Sequence, residues 1–164
     1  MLLHSECSLC AKNPNSHSFT YLGSNEDVHY IYTSPARALE YKESEENIQN
    51  FKKHFDSMKG KRWVWIFDCA NMQIKHLSSF EYTRKLATIL TEGHPHTLLT
   101  IHIIHPNVWM KTTIKLLQKL FSNTFCKKLR ILEGSKLELY VAFEKASIRG
   151  EPLVGLVQAI NAPP

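Results

Sequence analysis

Acidic residues are missing where basic ones are dense. Between Gly93 and Leu132 there is no Asp or Glu, against six cations: Lys111, Lys115, Lys119, Lys127, Lys128 and Arg130. Glycine is scarce, six in 164 residues, and none sits in a glycine-rich loop able to cradle a nucleotide phosphate. No apolar run approaches the ~18 residues of a bilayer-crossing helix, so none is expected. The start, MLLHSECSLC, lacks the basic region and long apolar core of a signal peptide, and Leu2 stands where myristoylation needs glycine. The four cysteines are therefore expected to be reduced, in a cytoplasmic protein. Neither Ser78 nor Ser79 has the surroundings of a nucleophile elbow, and no catalytic residue is assigned, so an enzyme is not expected.

What is present reads as alternating strands and helices. "FTYLG" (19–23) and "VHYIYT" (28–33), separated by "SNED", form a predicted hairpin. Ser44 is placed to cap a helix with Ile48, Phe51, Phe55 and Met58 on one face and Gly60 beyond its end. "RWVWIFDCA" (62–70) and "TLLTIHIIH" (97–105) are almost continuously apolar, as expected of strands buried on both faces. A helix over 78–93 separates them, with Phe80, Leu86, Ile89 and Leu90 inward. A third helix (107–122), a short strand (128–134) and a last helix opening on the capping box "SKLE" (135–138) follow. The order β-β-α-β-α-β-α-β-α implies an α/β fold, a mostly parallel sheet flanked by helices with an N-terminal hairpin. Residues 1–16 are expected to be a flexible tail and 17–160 a single domain.

Pro106 cannot donate to a ladder and biases His105 away from the α region, so a strand should end there; Asn107 then caps the next helix. Lys111, Lys115 and Lys119 recur every fourth residue and stack along one side of it. Such a stripe is often a solvated helix face. The missing acids favour instead a patch for an acidic surface, completed by Lys127 and Lys128.

The segment "EGHPHTLLTIHIIHPNVWMKTTIKLLQKLFSNTFCKKLRILEGSKLELY", with "RWVWIFDCANM" before it, resembles the heart of a CRAL-TRIO lipid-binding domain. In that family a helix ends at an aromatic-Pro pair, and a strand, an Asn-Pro or His-Pro turn, an aromatic-rich helix, a basic stretch and a strand follow. His94-Pro95 and His105-Pro106 stand at the two turns. The form is nearest to the divergent branch that includes the BCH domains of certain Rho GTPase-activating and adaptor proteins and a domain of some macro-domain proteins. The usual Leu-Pro…Gly-Gly segment is replaced by "ASIRGEPLVGLVQAINAPP".

The resemblance implies a non-enzymatic domain that binds a lipid or an anionic membrane surface, peripheral to the membrane. The alternative is a BCH-like scaffold engaging a small GTPase or its regulator. A STAS-like regulatory domain, which shares the β/α layout, is the third reading. Trp63, Trp65, His102 and Trp109 are candidates to line an apolar pocket. No cofactor other than a bound lipid is expected, and no nucleic-acid partner, because aromatics are not interleaved with the lysines as stacking platforms. His4, Cys7, Cys10 and His17 carry zinc-ligand chemistry as H-x2-C-x2-C-x6-H, but the second half-site is poor, so the expectation is no metal. Asp68 is expected to cap a turn or the next helix, and His102 to be a hydrogen-bonded core histidine.

Overall fold

The computed structural model describes residues 7–40 and 42–163. Its centre is one five-stranded sheet in the order β1-β2-β3-β4-β5. Strands β1 (Thr20–Asn25) and β2 (Val28–Thr33) form the expected antiparallel hairpin. The sheet continues in parallel through β3 (Arg62–Asp68), β4 (Leu98–Ile104) and β5 (Leu129–Leu132). The two long apolar runs are thus adjacent and central, with Trp65 opposite Ile101 and Asp68 opposite Ile104.

The crossovers are helical. A short α1 (Ser8–Lys12) precedes the hairpin. Helix α2 (Glu45–Asp56) is capped by Ser44, α3 (Phe80–Gly93) by Ser79, and α4 (Val108–Leu120) by Asn107, each side chain accepting a first-turn amide. A single turn, α5 (Asn123–Cys126), leads into β5. Strands in sequential order joined by right-handed crossovers place all the connecting helices on one face. Helices α2, α3 and α4 accordingly share one core with Trp63, Trp65, Ile101 and Ile103.

The opposite face, carrying Val64, Ile66 and Ile104, is covered by α6 (Lys136–Lys145) and α7 (Glu151–Asn161) through Leu139, Phe143 and Leu156. Helix α7 is not among the helices expected from the sequence pattern. Its approach to β1 is close: a Cβ on Gly155 would meet the Leu22 carbonyl at 3.2 Å, and one on Gly23, where φ is +121°, would strike Glu151. Arg37 donates to the carbonyls of Ala159 and Ala162, covering acceptors left open at the helix end.

The expected tail is packed where it is described. Cys7 and His17 are fully buried, and Ser16 donates to the Leu9 and Asn13 carbonyls. Residues 1–6 lie outside the described residues. The missed signal is burial by a distant partner, since α2 supplies the wall against which residues 7–18 fold.

His102 faces the α6/α7 side, alternating with Ile101 and Ile103. It is a core histidine, but its Nδ1 has no hydrogen-bond partner among the described residues. Burial lowers its pKa to about 4, with Arg130 adding to the effect. In the unfolded chain the ring titrates near ~6.5. Between those values the unfolded chain binds a proton that the folded chain refuses, so stability is intact above about pH 6.5 and falls as the pH drops towards 4. The loss is roughly 3 kcal/mol by pH 4, at ~1.36 kcal/mol per unit. Urea denaturation between pH 7.5 and 4 should show a shallower acid loss for His102→Leu than for the natural chain. Equal slopes would assign the acid sensitivity elsewhere.

Candidate functional site

The C-terminal ends of β2, β3 and β4 converge on Asp68, which is 2% exposed. Its Oδ2 accepts from the Tyr32 hydroxyl at 2.6 Å. Its Oδ1 accepts from the Ala70 amide at 2.9 Å and lies 2.8 Å from His105 Nδ1. The Ala70 bond is the expected turn cap; Tyr32 and His105 come from strands too far away in sequence to be anticipated. Desolvation, followed by the Asp68 charge, raises the Tyr32 pKa, so the phenol stays a donor. His105 ends β4 as expected, though by adopting left-handed φ of +49° rather than an extended conformation. Pro106 disfavours the right-handed α region, and the Asp68 bond holds the alternative. This hub fixes the angle at which the chain leaves the sheet for α4. Asp68→Ala would strand the hydroxyl and the amide, and should cost about 3 kcal/mol in urea denaturation with the slope unchanged. A cost below about 1 kcal/mol would make the hub incidental.

Beside it, a cavity of about 100 Å³ lies between the sheet and helices α3 and α4. Trp65, Leu90, Ile103, Ile114 and Leu117 form its apolar walls, and His76, Ser78 and Trp109 stand among its lining. Of the four expected pocket residues, Trp65 and Trp109 are in place. Trp63 is not: it sits at the start of β3, fully buried against Phe55, Trp65 and His94. His102 is not either, because strand alternation turns it to the other face. The volume is below the ~300–1,000 Å³ usual for ligand pockets.

A shallow groove continues outward from Met72 and Trp109 over Ile74 and Val108. Ile74 is 87% exposed and Val108 81%. The turn carrying Ile74 is held from below: buried His76 accepts from the Gln73 amide through Nδ1 at 2.9 Å. On α4, Trp109, Leu116 and Leu120 are 42%, 40% and 61% exposed and follow one flank at spacings of seven and four. Lys115 and Lys119 are exposed on the adjoining flank.

The expected lysine patch is smaller than the spacing suggests. Lys111 is paired with Glu133, just beyond the acid-free interval. Lys128 donates to the Pro95 carbonyl at 2.6 Å, and burial lowers its pKa. Lys115, Lys119 and Lys127 remain exposed and make no ion pair among the described residues. In the sequence Trp109, Leu116 and Leu120 are interleaved with Ile114 and Leu117, and only the fold separates the exposed row from the buried pair. Among the described residues no helix is long and apolar enough to cross a membrane.

Residues 28–151 match the family model for the divergent CRAL/TRIO domain. The chain belongs to the divergent CRAL/TRIO family. The domain is also similar to the crystal structure of Sfh5, with a TM-score of 0.56 at 15% identity, over 80% of this chain and 52% of that one; this likeness concerns the fold. A curated relative, Rho GTPase-activating protein gacY of Dictyostelium discoideum, is 25% identical over 93 residues. The aligned stretch is 57% of this chain and 13% of the relative. Membership of the family displaces the STAS-like reading, and the family typically binds lipids.

Proposed function

We propose that this CRAL/TRIO domain docks on anionic membrane surfaces through α4 and the turn carrying Ile74, and takes an apolar lipid moiety into the adjoining cavity. It is read as a binding module rather than an enzyme. The observation that carries the reading is the exposed Trp109–Leu116–Leu120 row beside exposed Lys115 and Lys119 on the same helix. An interfacial helix has this character, with an apolar side for the acyl boundary and cations at the headgroups. A purely solvated helix face would be polar where Leu120 is 61% exposed. Each lysine near an anionic bilayer contributes about 1 kcal/mol. Lys115, Lys119 and Lys127 together should therefore change affinity by about two orders of magnitude.

The small cavity favours a second reading, in which the core stays closed and the same face meets an acidic protein surface. A small GTPase or its regulator is the partner class suggested by the similarity to a Rho GTPase-activating protein.

Tryptophan fluorescence separates the two. Trp63 and Trp65 are buried, so a blue shift on adding phosphatidylserine vesicles reports Trp109. The natural chain should shift and co-sediment at low salt, and lose both as salt rises. Combined Lys115→Gln, Lys119→Gln and Lys127→Gln should abolish sedimentation without altering the melting temperature. Trp109→Ala with Leu120→Ser should leave salt-dependent encounter but weaken retention. Indifference of the natural chain to anionic vesicles at low salt would remove the membrane reading and leave the protein-partner one.

A further inference from the structure

Away from the membrane-facing groove, residues 7–18 fold against α2 around four buried side chains: Cys7, Cys10, His17 and His54. One potential ligand atom from each lies within 4.8 Å of the others. Nδ1 of His17 is 3.5 Å from Cys7 Sγ, 3.3 Å from Cys10 Sγ and 2.9 Å from Nε2 of His54. Cys10 Sγ is 3.3 Å from the same His54 nitrogen. Tetrahedral zinc at ~2.3 Å from sulfur and ~2.0 Å from nitrogen requires ligand-to-ligand edges of roughly 3.3–3.8 Å. Three of these separations lie within that range and the His17–His54 one just below it.

Each ligand arrives by a local device. Cys7 precedes the first residue of α1 and Cys10 lies about one turn on, which brings both thiols to one side. The turn at Asn13–Ser16 returns the chain so that His17 points back. His54 comes from the last turns of α2, its ring stacked on Phe19 at 4.9 Å. The His17 ring is braced by Phe51.

Without a cation this centre is poorly satisfied. Thiols are weak donors, and between two neutral imidazole nitrogens only one can carry the shared proton. Two thiolates and two neutral imidazoles would neutralise a divalent ion and engage all four inner atoms at once.

We infer that Cys7, Cys10, His17 and His54 form a closed, four-coordinate structural zinc site that staples the N-terminal segment to α2. All four positions are filled by protein, so the ion would hold structure rather than activate water. His54 takes the role that sequence spacing offered to His4, which lies outside the described residues. The site is independent of the proposed membrane function and can fail or stand without it.

The full chain, purified in reducing buffer with zinc present, should carry one zinc per chain by plasma mass spectrometry. Exchange with cobalt(II) should give the intense d–d absorption of a tetrahedral ion together with thiolate-to-cobalt charge transfer. Cys10→Ser and His54→Gln should each lose the metal, while Cys126→Ser retains it. A strong chelator should lower the melting temperature of the natural chain by several degrees and leave His54→Gln unmoved. Substoichiometric metal in the reduced natural chain would overturn the assignment. So would an octahedral cobalt spectrum without charge transfer, or a Cys7–Cys10 disulfide in freshly purified reduced protein. The cobalt spectrum needs no variant, so misfolding of a substituted chain leaves the test intact.

Discussion

The structure depends on one constraint: strands β2 to β4 are apolar on both faces, so the sheet must be covered twice. Trp63, Trp65 and Phe67 point to one side and Val64 and Ile66 to the other. Because the parallel strands follow in sequential order, right-handed crossovers spend α2, α3 and α4 on a single face. The second face then has to be closed by chain that follows β5. Helices α6 and α7 do this, and the tight approach of Gly155 to Leu22 shows how closely α7 must lie on the hairpin. The segment "GEPLVGLVQAI" thus belongs to the core although it departs from the family's usual ending.

The same constraint made the centre of the fold legible and its margins less so. Continuous apolar runs at 62–70 and 97–105 could only be buried strands, and caps at Ser44, Asn107 and Ser135 marked where helices begin. Helix α7 is less legible, since proline and glycine ordinarily interrupt a helical pattern and Pro152 and Gly155 both lie inside it. In the fold Pro152 occupies the first turn, where its missing N–H costs nothing, and Gly155 is needed for contact. The packed state of residues 7–18 escaped because its cause, His54, lies 37 positions from His17. Lysine spacing located the basic helix but could not show that Lys111 reaches Glu133 or that Lys128 turns to Pro95.

His102 and His105 show how far a local pattern carries. Three positions apart on one strand and its exit, they cannot share a role under a two-residue period. His102 lies in the sheet core on the α6/α7 side, while His105 leaves the strand and meets Asp68. A His/Asp pair beside a cavity invites a catalytic interpretation, yet Asp68 spends its second oxygen on Tyr32 and shares the first with the Ala70 amide. The group is a bracket for the β4–α4 turn.

That bracket bears on how the cavity could be used. At about 100 Å³ it is smaller than the ~150 Å³ that accommodates a benzene ring, so an acyl chain requires α3 and α4 to part. On the proposed reading the energy for that opening comes from the membrane. A ligand shifts a conformational equilibrium only by binding one state better, and a bilayer does so by burying the parts of Trp109, Leu116 and Leu120 that are exposed to water in the closed form. Apolar burial at ~25 cal/mol per Å² makes three such side chains worth a few kcal/mol, the scale on which minor states become populated. Because the Asp68 hub fixes the N-terminal end of α4 and Lys111 is tied to Glu133, movement should be greatest towards Leu120, where those ties are absent. Leu120, the most exposed of the three, lies at that same end beside exposed Lys119, while Val108 and Ile74 offer contact at the anchored end, so on this reading docking holds one end of α4 and frees the other.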